Sequence, residues 1–448
     1  MRSALLSALK GLHRERIFGP AASAFLLRVV GAGLQFLFTV VLARLYGASG
    51  VGLFVIALSM LVVSSTIARW GLDQTTMKLV AANLEGNQYA TIRSILRYAR
   101  NFILLSGAAS TIIMLLFSDW LAGVFFKHGD ATAVIAVMSL AILPLSLATL
   151  YAEALRGFRK ITVYTLLHGT LIPALSTFFV LMLSKLFDGV IAGAIAYLVA
   201  TTLAMVLAVI LCARYISRSP DDSRVKEIDR RGILATANAL SWVTIISVIM
   251  SFMETFILGL FHDDASVGRY AAALRLALIV NFIIIAFNSI LAPNFSSLFR
   301  QAKLPEIERQ ARHSILIMLV FTLPAVAIFC LLPSQILSIF GKEFEQASTA
   351  LVLLSVGQLI NVFSGPVGIL LQMTGHESSF RNNVILSSGT TLVSALILIP
   401  PYEVVGAAIS AVIGILLLNA LSLLSVRKRL GINPLPLNPA SLFSRINS

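Results

Sequence analysis

Long apolar blocks dominate the pattern of this chain. A helix needs about 20 apolar residues to cross the hydrocarbon core of a bilayer. Twelve blocks approach or exceed that length: 21–46, 48–68, 101–125, 131–152, 164–184, 189–213, 234–260, 268–293, 314–332, 347–372, 384–399 and 404–426. The pattern predicts an all-α polytopic membrane protein with about 12 transmembrane helices, the eleventh being the shortest. The longest polar connections, 70–100 and 215–233, read as amphipathic or solvated linkers, and Ser219-Pro220-Asp221-Asp222 in the second is turn chemistry. Residues 1–16 place Leu5, Leu6, Leu9 and Leu12 at helical spacing among basic residues. That pattern predicts an interfacial helix rather than a cleaved signal peptide.

Polar positions inside the blocks are few and patterned. Arg28, Gly31, Gln35 and Thr39 lie three or four residues apart, on one face of the first span. Thr244, Ser247, Ser251 and Glu254 form a similar stripe on the seventh. A polar stripe on a membrane helix belongs in a water-filled cavity or a helix interface. Charged groups well inside a span are limited to Arg28, Glu254 and Arg275, and the fifth span adds His168. An ionisable group in hydrocarbon is costly, which makes each a candidate functional residue. Arg28 sits about 10 Å from one end of its helix at 1.5 Å per residue, so snorkelling to the headgroups stays open. Glu254 and Arg275, at similar depths on adjacent helices, are open to a purely structural pairing.

Charge and composition add orientation and exclude several classes. Of the 448 residues 58% are hydrophobic and 12% charged, against roughly 25% charged in soluble domains, so lipid must be part of the solvent. The net charge of +14 does not point to nucleic acid, because Lys and Arg sit in short clusters between the blocks. With the N-terminus inside, 27 of them fall in inner segments, 5 in outer ones and 2 within spans. This asymmetry predicts cytoplasmic termini. Cys212 and Cys330 lie inside apolar blocks and read as small hydrophobes. No phosphate loop, metal-spaced cluster or nucleophile–base set occurs, so neither a cofactor nor an enzymatic activity is expected.

The chain is doubled. Val51-Gly52 with Ala57-Leu58 is echoed by Val267-Gly268 with Ala273-Leu274, at an offset of 216, and Arg156-Gly157 by Thr374-Gly375, at 218. Two echoes at nearly one offset predict two pseudo-symmetric six-helix lobes. These are 1–213 and 234–426, joined by a cytoplasmic linker at 214–233 and followed by a tail at 427–448. Transporters build substrate sites from repeats of this kind.

Ala43-Arg44-Leu45-Tyr46-Gly47, Gly50-Val51-Gly52-Leu53-Phe54 and Arg69-Trp70-Gly71-Leu72-Asp73-Gln74 resemble the opening helices of the Wzx-type polysaccharide flippases, within the multidrug/oligosaccharidyl-lipid/polysaccharide exporter superfamily. Phe340-Gly341-Lys342-Glu343-Phe344, Gly357-Gln358-Leu359-Ile360-Asn361, Gly365-Pro366-Val367-Gly368 and Thr374-Gly375-His376 resemble that family's second half. The resemblance implies two lobes around a cationic cavity. It implies transfer of an undecaprenyl-pyrophosphate-linked oligosaccharide from the cytoplasmic to the outer leaflet, for O-antigen, lipopolysaccharide or exopolysaccharide assembly, with a polymerase as a possible partner. Arg28 and Arg275 fall where such relatives place cavity arginines, and Gln35, Ser251 and Glu254 complete the expected substrate site. Twelve spans lack the extra pair typical of lipid II flippases. Two other functions compete. A cation-coupled drug exporter would use deep carboxylates in the first lobe, where Asp73 and Glu153 lie only at span ends. A membrane glycosyltransferase or polymerase would need a large outer loop.

Overall fold

A computed structural model describes residues 18–126, 131–217 and 229–435. The interfacial helix expected at 1–16, residues 218–228 of the expected linker and the tail beyond 435 lie outside the described residues. In hydrocarbon every backbone N–H and C=O must be satisfied within the chain, and the described residues are accordingly helical. They form α1 (Phe18–Arg69), α2 (Leu72–Glu85), α3 (Tyr89–Leu116), α4 (Ser118–Phe125), α5 (Ala131–Leu140) and α6 (Ile142–Gly157). Next come α7 (Ile161–Thr165), a π-turn (Leu166–Leu171), α8 (Ile172–Leu183) and α9 (Ile191–Ser217). The chain continues with α10 (Arg230–Ser251), α11 (Met253–Phe261), α12 (Asp264–Arg300), α13 (Leu304–Leu331) and α14 (Pro333–Leu337). A 3-10 turn (Lys342–Ala347), α15 (Ser348–Ser364), α16 (Val367–Met373) and α17 (Glu377–Leu430) complete it.

Among the described residues ten helical stretches are long and apolar enough to cross a membrane. Two of them are double length and broken. α1 breaks at Gly47, with φ 69°, and α17 at Glu403, with φ 47°, two residues after Pro401 of the Pro400-Pro401 pair. Counting both halves gives the twelve crossings expected from the apolar blocks. The polar connection after the second span is α2, an amphipathic helix as expected, buried through Leu72, Asp73, Thr75, Thr76 and Val80.

The contacts divide the chain into two compact units: Met1–Tyr46 with Leu53–Phe252, and Gly47–Gly52 with Met253–Ser448. The second boundary falls at a break in the seventh span, where Phe252 separates α10 from α11. The sequence doubling places 234–426 together, whereas α10 packs with the first unit. The cause is local. Gly71, in the left-handed region at φ 70°, lies so close to α10 that a Cβ there would stand 2.4 Å from the Ala237 carbonyl oxygen. Trp70 meets Trp242 edge-on at 5.7 Å, and the Gln74 amide donates to the Thr244 hydroxyl at 3.3 Å. Leu72, Ile95, Ala99, Ile103, Leu147, Leu150, Ile233 and Ala237 then share one core.

The first sequence echo is a physical contact. Within the second unit, Gly52 and Gly268 face each other. A Cβ on Gly52 would lie 1.7 Å from the Asp264 carbonyl oxygen, and one on Gly268 1.9 Å from that of Ala48. The two equivalent glycines thus meet in a reciprocal backbone-to-backbone crossing. The second echo has no such partner. Gly157 packs against the Met77 carbonyl, while Gly375 takes φ 78° in open space.

Candidate functional site

The first unit contains a charged network built on four helices and the π-turn. Arg69 ends α1 and Asp73 opens α2; they pair at 2.9 Å, with side chains 11% and 9% exposed. Arg69 also donates to the Ser65 hydroxyl and, at 3.1 Å, to the Thr66 hydroxyl, and Ser65 in turn meets Ser146 of α6 at 2.9 Å. This guanidinium is fully engaged. Glu153, three residues before Arg156 on α6, accepts from it at 3.3 and 3.5 Å. Tyr164 of α7 also acts on this carboxylate. Arg156 lies over the Tyr164 ring, 5.2 Å from the centroid, and His168 stacks on Tyr164 at 5.4 Å and 11°. Tyr164 and His168 are one turn apart, so they share a helix face.

The first span carries Arg28 to the same place. The Thr170 hydroxyl donates to the Leu27 carbonyl at 3.0 Å, and the Ser23 and Thr162 hydroxyls are 3.2 Å apart. Gly31 approaches the π-turn so closely that a Cβ would stand 2.5 Å from the Gly169 carbonyl oxygen. This side-by-side packing brings the Arg28 charge within reach of Tyr164, while those of Arg69, Asp73 and Arg156 act on His168. Arg28 is exposed, and its side chain has no ion pair or hydrogen bond among the described residues. A π-turn inside an α-helix is frequently found at functional sites.

The other expected site residues are distributed over both units. Gln35, half-buried in α1, accepts the Thr39 hydroxyl on its backbone carbonyl. Ser251, exposed at the last position of α10, turns its hydroxyl back to Val248. Thr244 and Ser247 also bond their own helix, as hydroxyls in membrane helices often do. In the second unit Glu254 opens α11, its charge acting on Tyr270, and Arg275 lies on α12, both half-buried. The pairing considered for Glu254 and Arg275 is not formed, because no ion pair or hydrogen bond joins them. The break at Phe252 starts α11 afresh, and α11 packs on α17 as well as α12. Arg275 is therefore a second guanidinium inside a span without a partner among the described residues.

The sequence offers His168 as a candidate on the fifth span, and Asp73 and Glu153 as carboxylates at span ends. Their network was missed. The usable signal was local spacing: Arg69 to Asp73 at four residues, Glu153 to Arg156 at three, Tyr164 to His168 at four.

A partly buried ion network among apolar helices, with bare arginines on the first and eighth spans, fits a membrane transporter rather than a soluble enzyme. The fold is that of the multidrug/oligosaccharidyl-lipid/polysaccharide exporter superfamily. The inward closed conformation of the lipid II flippase MurJ matches with a TM-score of 0.70 at 15% identity, over 92% of this chain and 87% of that one. An inward-facing MATE family multidrug resistance transporter matches with a TM-score of 0.70 at 17% identity, over 91% of this chain and 98% of that one. Residues 21–299, more than half of the chain, match the polysaccharide biosynthesis protein family, and the chain belongs to it. A relative from Haloferax volcanii, the probable low-salt glycan biosynthesis flippase Agl15, is 24% identical over 395 residues, 86% of this chain and 78% of that protein.

Proposed function

We propose that this protein is a flippase that moves a polyprenyl-pyrophosphate-linked oligosaccharide, with undecaprenyl as the carrier, from the cytoplasmic to the outer leaflet by alternating access. It acts as a transporter and not as an enzyme. The observation that carries this reading is the pair of unpartnered guanidiniums, Arg28 on the first span and Arg275 on the eighth. A bare cation in hydrocarbon is costly unless an anion comes to it. A pyrophosphate is such an anion, and guanidinium binds phosphate oxygens through a two-pronged fork. Both arginines contact the pyrophosphate during the cycle, while Gln35, Ser251 and Glu254 offer polar groups to the sugar. Family membership and the glycan-flippase relative support the same cargo class. In the proposed orientation both termini are cytoplasmic, and the cell is bacterial; the H. volcanii relative comes from a glycan pathway of another organism.

The test uses cells in which this chain is the only copy of its kind. Its removal abolishes surface polysaccharide and leaves the lipid-linked precursor in the inner leaflet. Arg28→Ala or Arg275→Ala at native expression fails to restore export, and Arg→Lys restores it in part, since a point charge replaces the fork. Normal surface polysaccharide with Arg28→Ala would favour snorkelling at that position and refute the reading of the site.

A further inference from the structure

We propose that Arg156 reads the second phosphate of the carrier, so that the first unit distinguishes a polyprenyl pyrophosphate from a polyprenyl monophosphate. This assignment rests on the flippase reading above and names a specificity residue for it. The three arginines of the network differ in how fully they are engaged. Arg69 holds Asp73 at 2.9 Å and two hydroxyls besides, and cannot leave without stranding a buried carboxylate. Arg28 has no side-chain partner among the described residues. Arg156 lies between these extremes. Its contacts with Glu153, 3.3 and 3.5 Å, are longer than the 2.7–2.9 Å usual for a charge-assisted hydrogen bond. Its side chain is 47% exposed, and the flat face of Tyr164 beneath it fixes its place without using its N–H donors.

The Arg28 stretch of α1 packs on α7 and the π-turn through the Ser23–Thr162 and Leu27–Thr170 contacts, and Arg156 of α6 lies over the Tyr164 ring of α7, so the two available guanidiniums approach the same segment from different helices. A single phosphate needs only Arg28. A second phosphate, across the bridging oxygen, draws Arg156 off Glu153, on which Tyr164 of α7 continues to act. The other charged group that acts on Glu153 is Asp73 from α2, itself held by Arg69; α3, α5 and α9, which also pack on α6, contribute none. Glu153 is thus a resting place for Arg156 and a positioning residue, while Arg156 contacts the substrate.

The purified full chain in detergent micelles is titrated with undecaprenyl pyrophosphate and with undecaprenyl phosphate. The unsubstituted protein is expected to prefer the pyrophosphate by about tenfold or more, the worth of one charge-assisted contact. Arg156→Ala alone strands Glu153 and risks the fold, so the deciding variant is Arg156→Ala with Glu153→Gln. That double variant should bind the monophosphate as before and lose the preference. Glu153→Gln alone frees Arg156 and should tighten pyrophosphate binding several-fold with the monophosphate unchanged, a gain that a merely structural carboxylate would not give. Arg28→Ala should weaken both lipids together. An unchanged preference in the double variant overturns the assignment and leaves the flippase reading intact. Absence of binding to either lipid by the unsubstituted protein overturns both.

Discussion

At the scale of single residues, the positions that carry charge into the spans were legible and their partners were not. Arg28, Glu254 and Arg275 stand out in an apolar sequence because nothing near them resembles them. Whether two such residues meet depends on helix rotation, which one sequence does not fix; Glu254 and Arg275 are unpaired for that reason, and Arg156 finds Tyr164 across a turn. Outside the spans, Asp263 caps α12, accepting the Ser266 N–H at 2.9 Å. Burial opposes its charge, but the Ser266 donors, with Arg269 and His262, outweigh that and hold the Asp263 pKa below the ordinary aspartate value. A carboxylate lowered in the folded state stabilises above its unfolded pKa and loses that contribution as pH falls through the folded value. Asp263→Ala should therefore cost about 1 kcal/mol at neutral pH. The gap to the parent should close below about pH 4. Thermal unfolding in detergent at the two pH values measures this, and a gap that persists in acid would disprove the charge linkage.

At the scale of elements, the apolar blocks gave the helices because lipid leaves the backbone no other partner. The breaks were not equally visible. Those at Gly47 and Glu403 fall between predicted blocks, the second announced by Pro400-Pro401, whereas Phe252 sits inside the block 234–260, which reads as one span. Gly47 is required on two counts: φ 69°, and a Glu343 carboxylate oxygen 2.6 Å from where a Cβ would be. That carboxylate accepts the Ala48 N–H at 2.7 Å, capping the second half of α1. The Gly52–Gly268 crossing has no slack, since the obstructing atoms are backbone oxygens rather than side-chain ends. Gly52→Ala or Gly268→Ala should lower stability by about 3 kcal/mol or more, beyond ordinary overpacking. Gly33→Ala, with nothing within 4 Å of its Cβ, should change stability by less than about 1 kcal/mol. Melting temperatures of the three variants in one detergent decide this; equal shifts at Gly33 and Gly52 would contradict the crossing.

At the scale of the whole molecule, twelve crossings could be read from block length. The division into units could not, because α10 is drawn to the first unit by Gly71 and Trp70, contacts that the repeat does not encode. Orientation rests on the Lys and Arg asymmetry. In a chain with Cys212 and Cys330 replaced, cysteine at the exposed positions Asp188 and Arg309 should react with an impermeant thiol reagent from outside and from the cytoplasm respectively. Labelling of position 309 from outside would invert the topology. The most direct test of the account is transport itself. Vesicles reconstituted with the purified protein and loaded in one leaflet with an undecaprenyl-pyrophosphate-linked oligosaccharide are probed with an enzyme that reaches only the outer sugar. The account predicts protein-dependent transfer that falls about tenfold or more with Arg28→Ala or Arg275→Ala, the loss of one charge-assisted contact each. Transfer no faster than in empty vesicles, or unchanged when both arginines are replaced, would contradict it.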